Sequence, residues 1–116
     1  MHETGKIDYV ELPGGELPAV KAFFTQAFGW SFVDYGPDYA SFAEGLDGGF
    51  YSDAAEAVNK PLVILYSSEL EATLAKVKAA GGVIVRDIFS FPGGRRFHFR
   101  DPAGNELAVW QPEEAA

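Results

Sequence analysis

The sequence predicts an α+β fold of two tandem βαβββ modules that form a curved, eight-stranded mixed sheet with the helices on its convex side. One order of patterns occurs twice in 116 residues: a strand, a helix ended by glycine, and three further strands. The two apolar helix stripes begin at Leu17 and Leu70, 53 residues apart, which indicates an internal repeat. We expect one domain over residues 5–113, with module one at about 5–53 and module two at about 60–112. Because one helix covers only one face of a sheet, the concave face is the predicted ligand pocket.

The first module begins with a strand at residues 6–12, where β-forming residues alternate. After Pro13-Gly14-Gly15, apolar residues recur at helical spacing, and Gly29 ends this helix. The stripe consists of Leu17, Val20, Phe24, Ala27 and Phe28. Short aromatic runs separated by glycine-containing turns then predict strands at 30–35, 39–43 and 49–52.

The second module repeats this order after an alanine-rich linker at residues 53–60. An apolar strand at 61–66 precedes a helix that Gly81-Gly82 ends, and Ser68 and Glu71 have the spacing of a capping box. The apolar stripe of this helix is Leu70, Leu74, Val77 and Ala80. The last three strands are predicted at 83–89, 95–100 and 106–111.

Composition narrows the class of protein. A hydrophobic fraction of 47%, with ten Phe, five Tyr and two Trp, favours a folded domain and excludes intrinsic disorder. The absence of cysteine excludes disulfides, zinc fingers and thiol enzymes. A formal net charge of -8 argues against nucleic acid and anionic lipid as partners. With no signal peptide and no apolar run long enough to span a membrane, we expect a cytoplasmic protein.

Four short stretches carry a family resemblance. Residues 99–105, Phe-Arg-Asp-Pro-Ala-Gly-Asn, and the strand after them resemble the F-x-D-P-x-G-N closing hairpin of the vicinal oxygen chelate superfamily. Residues 10–13, 22–24 and 28–30 are similar to the E-I-P, A-x-F-Y and F-G-W stretches of its small bacterial members. The resemblance covers about residues 6–112. It implies the fold of glyoxalase I, bleomycin resistance proteins and extradiol dioxygenases, a small-molecule ligand and a homodimer.

The resemblance also implies where a divalent metal ion would bind in metal-using members. Those places hold Tyr9 on the first strand, Leu62 on the fifth and Ala108 on the last, and residues 50–52 offer no carboxylate. Such side chains are poor ligands for a divalent cation, so we expect no metal and no other cofactor. One alternative stays open, since Glu11 and Glu106 lie two residues from Tyr9 and Ala108 and could form a displaced metal site.

Strand alternation selects the residues that face the pocket. The ligand-binding residues predicted in this way are Tyr9, Glu11, Tyr66, His98 and Trp110, and Arg96 is added from the Gly93-Gly94-Arg95-Arg96 stretch. His98 is also the candidate for acid–base catalysis, because its ordinary pKa lies near neutrality, although a packing role is the more common one for such a residue. His2 is assigned to a frayed terminus. Gly93-Gly94-Arg95-Arg96 could bind an anion, or it is a hairpin with solvated arginines.

Three functions are compatible with these features. The first is a metal-independent small-molecule-binding protein without assigned catalysis, whose ligand the acidic charge predicts to be cationic and partly aromatic. The second is a glyoxalase-type lyase or isomerase that uses a metal at Glu11 and Glu106. The third is a dimeric interaction domain whose cleft is filled by its own aromatic side chains.

Overall fold

The computed structural model describes residues 2–52 and 60–113. The elements are β1 (Ile7–Pro13), α1 (Leu17–Phe28), β2 (Val33–Asp34), β3 (Tyr39–Glu44), β4 (Leu46–Tyr51), β5 (Leu62–Tyr66), α2 (Leu70–Ala79), β6 (Val83–Phe91), β7 (Gly94–Arg100) and β8 (Glu106–Pro112). The predicted α+β class, the tandem βαβββ order and the eight-stranded mixed sheet are confirmed. Neither of the helices described here has the length and apolar composition that crossing a bilayer requires. The predicted linker at 53–60 lies outside the described residues except for Lys60.

The described residues divide into two compact units. The N-terminal unit consists of residues 9–52 and 60–62, and the C-terminal unit of residues 2–8 and 63–113. Residues 2–8 join the C-terminal unit through backbone hydrogen bonds: Gly5 N donates to Tyr66 O at 2.8 Å and Tyr66 N donates to Lys6 O at 3.1 Å. The single domain over residues 5–113 stays a prediction.

In the N-terminal unit, the strands have the order β2-β3-β4-β1, with β4 and β1 parallel and the other pairs antiparallel. Helix α1 packs on one face, and the buried core consists of Leu17, Ala40, Phe42 and Phe50. Gly29 ends the helix as predicted: its φ of 73° lies in the left-handed region that glycine adopts without strain.

Two predicted strands of this unit have different bounds in the structure. Only Val33–Asp34 forms a strand where residues 30–35 were expected, because Ser31 N donates to the Glu44 carboxylate at 3.0 Å instead of to a neighbouring strand. Strand β4 begins at Leu46 rather than Gly49, since Gly45 alone, at φ 107°, makes the turn from β3. The tight turn therefore leaves more of the chain in the sheet than the glycine-rich sequence indicated.

In the C-terminal unit, the strands have the order β5-β8-β7-β6, with β5 and β8 parallel and the other pairs antiparallel. The buried core under α2 consists of Leu70, Phe97 and Val109. The predicted capping box is wrong. The helix begins at Leu70, Ser68 Oγ pairs with Thr4 Oγ1, and Glu71 binds Arg95.

The hairpin between β7 and β8 forms the turn that the sequence predicts. Asp101 Oδ1 accepts hydrogen bonds from the backbone N–H groups of Ala103 and Asn105, both at 2.9 Å. Gly104, with a φ of 89°, supplies the left-handed residue. These bonds, above all those from Asn105, hold the pKa of the Asp101 carboxyl below its ordinary value. The motif fixes the register that brings His98 opposite Ala108.

Candidate functional site

Strand alternation gives the C-terminal unit two different faces. Phe97 and Val109 pack under α2, whereas the register pairs place Arg96 beside Trp110 and His98 beside Ala108 on the opposite face. Six side chains of β6, β7 and β8 contact one another on this opposite face. We call them the arginine–aromatic cluster: Arg86, Phe89, Phe91, Arg96, His98 and Trp110.

The cluster is a continuous series of ring and guanidinium contacts. The Trp110 ring lies 6.4 Å from the Phe91 ring. The Arg96 guanidinium lies 5.5 Å from the Phe91 centroid and 5.6 Å from the Phe89 centroid, and the Arg86 guanidinium lies 3.7 Å above Phe89. Contacts of this kind hold a cation over the negative face of a ring. Positive charge and flat apolar surface are thus combined at one place.

Irregular pairing of the edge strand β6 brings two of these side chains together. The register between β6 and β7 shifts between Ile84 and Arg86 and again between Arg86 and Phe89. As a result, Arg86 lies opposite His98 and Phe89 lies opposite Arg96. Such irregularities redirect side chains that strict alternation would place elsewhere.

His98 is the buried member of the cluster, with 4% of its surface exposed. Its Nδ1 lies 2.9 Å from Glu106 Oε2, and its ring centroid lies 5.8 Å from that of Phe89. Its Nε2 is buried, and no atom of residues 2–52 and 60–113 forms a hydrogen bond with it. Burial lowers the pKa of His98, although the hydrogen bond that Nδ1 donates to Glu106 partly opposes this, and the neighbouring Arg96 lowers the pKa further. At neutral pH the imidazole is therefore mainly uncharged.

A second group of contacts surrounds Trp110 and Tyr66. Trp110 Nε1 donates to Asp8 Oδ2 at 2.9 Å, and His2 Nδ1 lies 2.6 Å from Asp8 Oδ1. The His2 ring also stacks on Tyr66 with centroids 4.9 Å apart. The assignment of His2 to a frayed terminus is therefore wrong. Strand alternation alone missed Asp8, because it grouped Asp8 with Val10 rather than with Tyr9.

Tyr9 and Glu11, the other two predicted ligand-binding residues, lie in the N-terminal unit. The Tyr9 hydroxyl is hydrogen-bonded to the Tyr39 hydroxyl, and burial raises the pKa of Tyr9 to about 12. The Tyr39 ring crosses Gly49, where an added Cβ would lie 2.2 Å from the phenolic oxygen. Glu11, opposite Gly49 in the parallel pair with β4, is only 6% exposed.

The adjacent arginines of the β6–β7 hairpin point to different places. Arg95 donates two hydrogen bonds to the Glu71 carboxylate of α2, at 2.6 and 3.1 Å, and a third to Gln111 Oε1 at 3.2 Å. Arg96 lies in the arginine–aromatic cluster on the other face. An open depression of about 410 Å³ lies beside Arg95, lined by Ser90, Phe91, Gly94, Arg95, Gln111, Pro112 and Glu113. The two arginines therefore do not act together as the anion clamp that their sequence suggested.

The described side chains do not fit a divalent metal site. Leu62 and Ala108, at two of the places where metal-using members have ligands, are 1% and 0% exposed and carry no donor atom. Within residues 2–52 and 60–113, no three His, Cys, Asp or Glu side chains are grouped to hold an ion. Glu106, half of the displaced alternative, is hydrogen-bonded to His98.

Residues 6–109 match the family model of the Glyoxalase/Bleomycin resistance protein/Dioxygenase superfamily. No curated protein sequence matches the chain significantly.

Solved structures share the fold at low sequence identity. A glyoxalase/bleomycin resistance protein/dioxygenase superfamily member from Vibrio splendidus 12B01 is 16% identical, with a TM-score of 0.70 over 91% of this chain and 97% of that one. A methylmalonyl-CoA epimerase from Streptomyces coelicolor, in complex with 2-nitronate-propionyl-CoA, is 13% identical, with a TM-score of 0.70 over 97% and 100%. The Mn(II)-bound glyoxalase from Novosphingobium aromaticivorans is 21% identical, with a TM-score of 0.65 over 100% of this chain and 44% of that one.

Proposed function

Because the chain belongs to the Glyoxalase/Bleomycin resistance protein/Dioxygenase superfamily, we propose that it binds a small organic molecule at the arginine–aromatic cluster, without a bound metal ion. The observation that carries this proposal is the stacking of Arg86 and Arg96 on Phe89 and Phe91, next to Trp110. Aromatic rings supply apolar contact area and the guanidinium groups fix orientation, which is the combination found in small-molecule sites.

The two guanidinium groups that stack on Phe89 and Phe91 favour an anionic ligand. The cationic ligand expected from the sequence rested on the net charge of the whole chain, -8. The screening length at physiological salt is about 8 Å, so charges within this distance of a ligand act on it more strongly than distant charges do. Among the described groups, the guanidiniums of Arg96 and Arg86 and the carboxylate of Glu106 act on His98, and the Asp8 carboxylate accepts a hydrogen bond from Trp110. We therefore propose a flat molecule with one carboxylate or similar group, and keep the cationic ligand as a competing outcome.

The comparisons support a small-molecule site of this general kind. The epimerase from Streptomyces coelicolor holds 2-nitronate-propionyl-CoA on the same fold. A metal-free mode of binding is supported by the aliphatic Leu62 and Ala108 described above. The homodimer, the cytoplasmic location and the absence of assigned catalysis stay predictions.

Calorimetric titration with three ligands of one shape tests the proposal. Benzoate, benzylamine and benzyl alcohol share a ring and differ in charge. We expect benzoate to bind most tightly, and Arg96→Gln to weaken it by about tenfold, as for loss of one charged hydrogen bond. Arg95→Gln is the matched control, because it removes the same charge from the face that bears α2. Tighter binding of benzylamine, or no heat from benzoate at millimolar concentration, would overturn the proposal.

A metal titration separates this function from a glyoxalase-type lyase or isomerase with a displaced Glu11/Glu106 site. We expect Mn(II), Ni(II), Zn(II) and Co(II) to leave the melting temperature unchanged, and EDTA to leave benzoate affinity unchanged. A rise in melting temperature that both Glu11→Ala and Glu106→Ala abolish would establish the metal-dependent alternative instead.

A further inference from the structure

The Nε2 atom of His98 stands out among the buried polar atoms. It is buried, and none of the side chains or backbone groups in the described parts of the chain bonds to it. Buried polar atoms are satisfied in the great majority of cases, because leaving one without a partner costs the hydration that it had in the unfolded chain. An exception beside a cluster of arginine and aromatic side chains points to a function for that atom.

The hydrogen bond on the other side of the ring defines what Nε2 can do. Nδ1 lies 2.9 Å from Glu106 Oε2, and a carboxylate can only accept a hydrogen bond. The proton of a neutral imidazole is therefore held on Nδ1, and Nε2 carries the lone pair. The lowered pKa of His98 agrees with a neutral ring. Nε2 is consequently a hydrogen-bond acceptor that has no donor among the described groups.

Three strands supply the groups around this acceptor. Phe89 of β6 lies 5.8 Å from the His98 ring and carries the Arg86 guanidinium on its face, at 3.7 Å. Among the residues that the structure describes, Arg96 of β7 and Glu106 of β8 are further charged groups that act on the ring. Because Arg86 is paired with His98 across β6 and β7, a molecule whose anionic group contacts Arg86 would have its next few atoms beside the His98 ring.

From this geometry we infer that His98 selects the ligand. Its Nε2 accepts a hydrogen bond from a hydroxyl or N–H group of an aromatic carboxylate bound at the arginine–aromatic cluster, while Glu106 acts as the positioning residue that fixes the tautomer. The inference rests on the proposed function and names its ligand class: a ring that carries both a carboxylate and a hydrogen-bond donor. Sites that offer a buried acceptor discriminate strongly against ligands without the donor.

The test compares ligands that differ by one donor. Benzoate, the three hydroxybenzoate isomers and the three methoxybenzoate isomers are titrated into the protein at pH 7.5. At least one hydroxybenzoate should bind about tenfold more tightly than benzoate, the size expected when a buried acceptor gains its partner. The methoxy compound of the same substitution should lose this advantage, since its oxygen has no proton to donate.

Two variants at one position separate recognition from packing. In His98→Asn, the amide replaces Nδ1 and keeps a donor towards Glu106 but has nothing at the place of Nε2, so the ratio of hydroxybenzoate to benzoate affinity should fall to about one. In His98→Gln, the longer side chain brings an amide oxygen towards that place, so part of the preference should return. Glu106→Gln should lower the ratio, because its amide can donate to Nδ1 and move the imidazole proton to Nε2.

The ratio should also fall in acid. Once His98 binds a proton, Nε2 becomes a donor and no longer accepts; the charged groups that act on its ring are Glu106, Arg96 and Arg86. A purely structural role for His98 predicts no such change in the ratio.

The outcomes distinguish this inference from the proposed function. Benzoate binding with no preference for any hydroxybenzoate overturns the role of His98 and leaves the proposed function standing. A preference that survives in His98→Asn overturns it as well. If neither benzoate nor any hydroxybenzoate binds, both the inference and the proposed function are wrong.

Discussion

The N-terminal and C-terminal units are built in the same order of elements, but the faces opposite their helices carry different side chains. In the N-terminal unit, the Tyr9 and Tyr39 hydroxyls are bonded to each other, and the Tyr39 ring covers Gly49. In the C-terminal unit, the bonds of His98 leave Nε2 buried and without a partner among the described groups. The same βαβββ frame thus holds a mutually hydrogen-bonded pair of phenols in one copy, and a cluster of arginine and aromatic side chains around a buried imidazole in the other. Repetition of a fold does not repeat its chemistry.

The largest effect on stability is expected from a substitution that disturbs the hydrogen-bonded pair of Tyr9 and Tyr39. Gly49→Ala places a Cβ 2.2 Å from Tyr39 Oη and 2.5 Å from its Cζ, so the ring must move. We expect a loss of about 2 kcal/mol in the free energy of unfolding, the usual size of an overpacking effect. Urea denaturation measures it. In the background of Tyr39→Ala, which removes the ring, the same substitution should cost much less, and equal costs in the two backgrounds would contradict the role given to Gly49.

The free energy of unfolding should depend on pH through a different residue in each unit: Tyr9 at alkaline pH and His98 at acidic pH. In the N-terminal unit, the pKa of Tyr9 is raised from 10.0 to about 12, so its contribution is complete below pH 10 and is lost as the pH rises to about 12. In the C-terminal unit, the pKa of His98 is lowered from 6.5, so its contribution is complete above pH 6.5 and is lost as the pH falls through the lowered value.

Tyr9→Phe and His98→Asn remove these contributions one at a time. The difference in unfolding free energy between the wild type and Tyr9→Phe should change only above pH 10, and that between the wild type and His98→Asn only below pH 6.5. Urea denaturation between pH 5 and 11.5 measures both. Tyr66→Phe and His2→Asn are the controls of the same residue types. A slope that stays the same in His98→Asn would show that His98 does not titrate as its burial requires.

The fold was predictable because its signals are local. The apolar spacing from Leu17 and from Leu70, and the turn built on Asp101, depend on near neighbours in the chain, and the structure confirms both helices and the closing hairpin. The exceptions, such as the capping box at Ser68 and Glu71, arose where distant side chains took over: Glu71 bonds to Arg95, 24 residues away.

The site was predictable only in part, because tertiary geometry decides it. Alternation found His98 and Trp110, and the glycine–arginine stretch indicated Arg96, but neither pattern indicated Arg86. Ile84 and Ile88 both pack against the core under α2, yet Arg86 between them reaches the opposite face, since β6 shifts register on both sides of it. No pattern of residue types in the sequence predicts such a shift in strand register. The contact between His2 and Asp8 likewise depends on where the first residues of the chain fold back.

The smallest expected effect concerns the ion pair that joins each helix to a strand. In the N-terminal unit, Lys21 Nζ lies 2.7 Å from Asp34 Oδ1, and in the C-terminal unit Arg95 donates twice to Glu71. Both pairs are largely exposed, so Asp34→Asn and Glu71→Gln should lower the melting temperature only slightly.

Glu71→Gln should have the larger effect at low salt, because the two bonds from a planar guanidinium fix its partner better than one from an ammonium group. Both losses should be smaller in 1 M NaCl, where the screening length falls to about 3 Å. Thermal melts of the two variants at 20 mM and 1 M NaCl measure this, and a loss from Glu71→Gln that is equally large at high salt would show that the pair acts through packing rather than through charge.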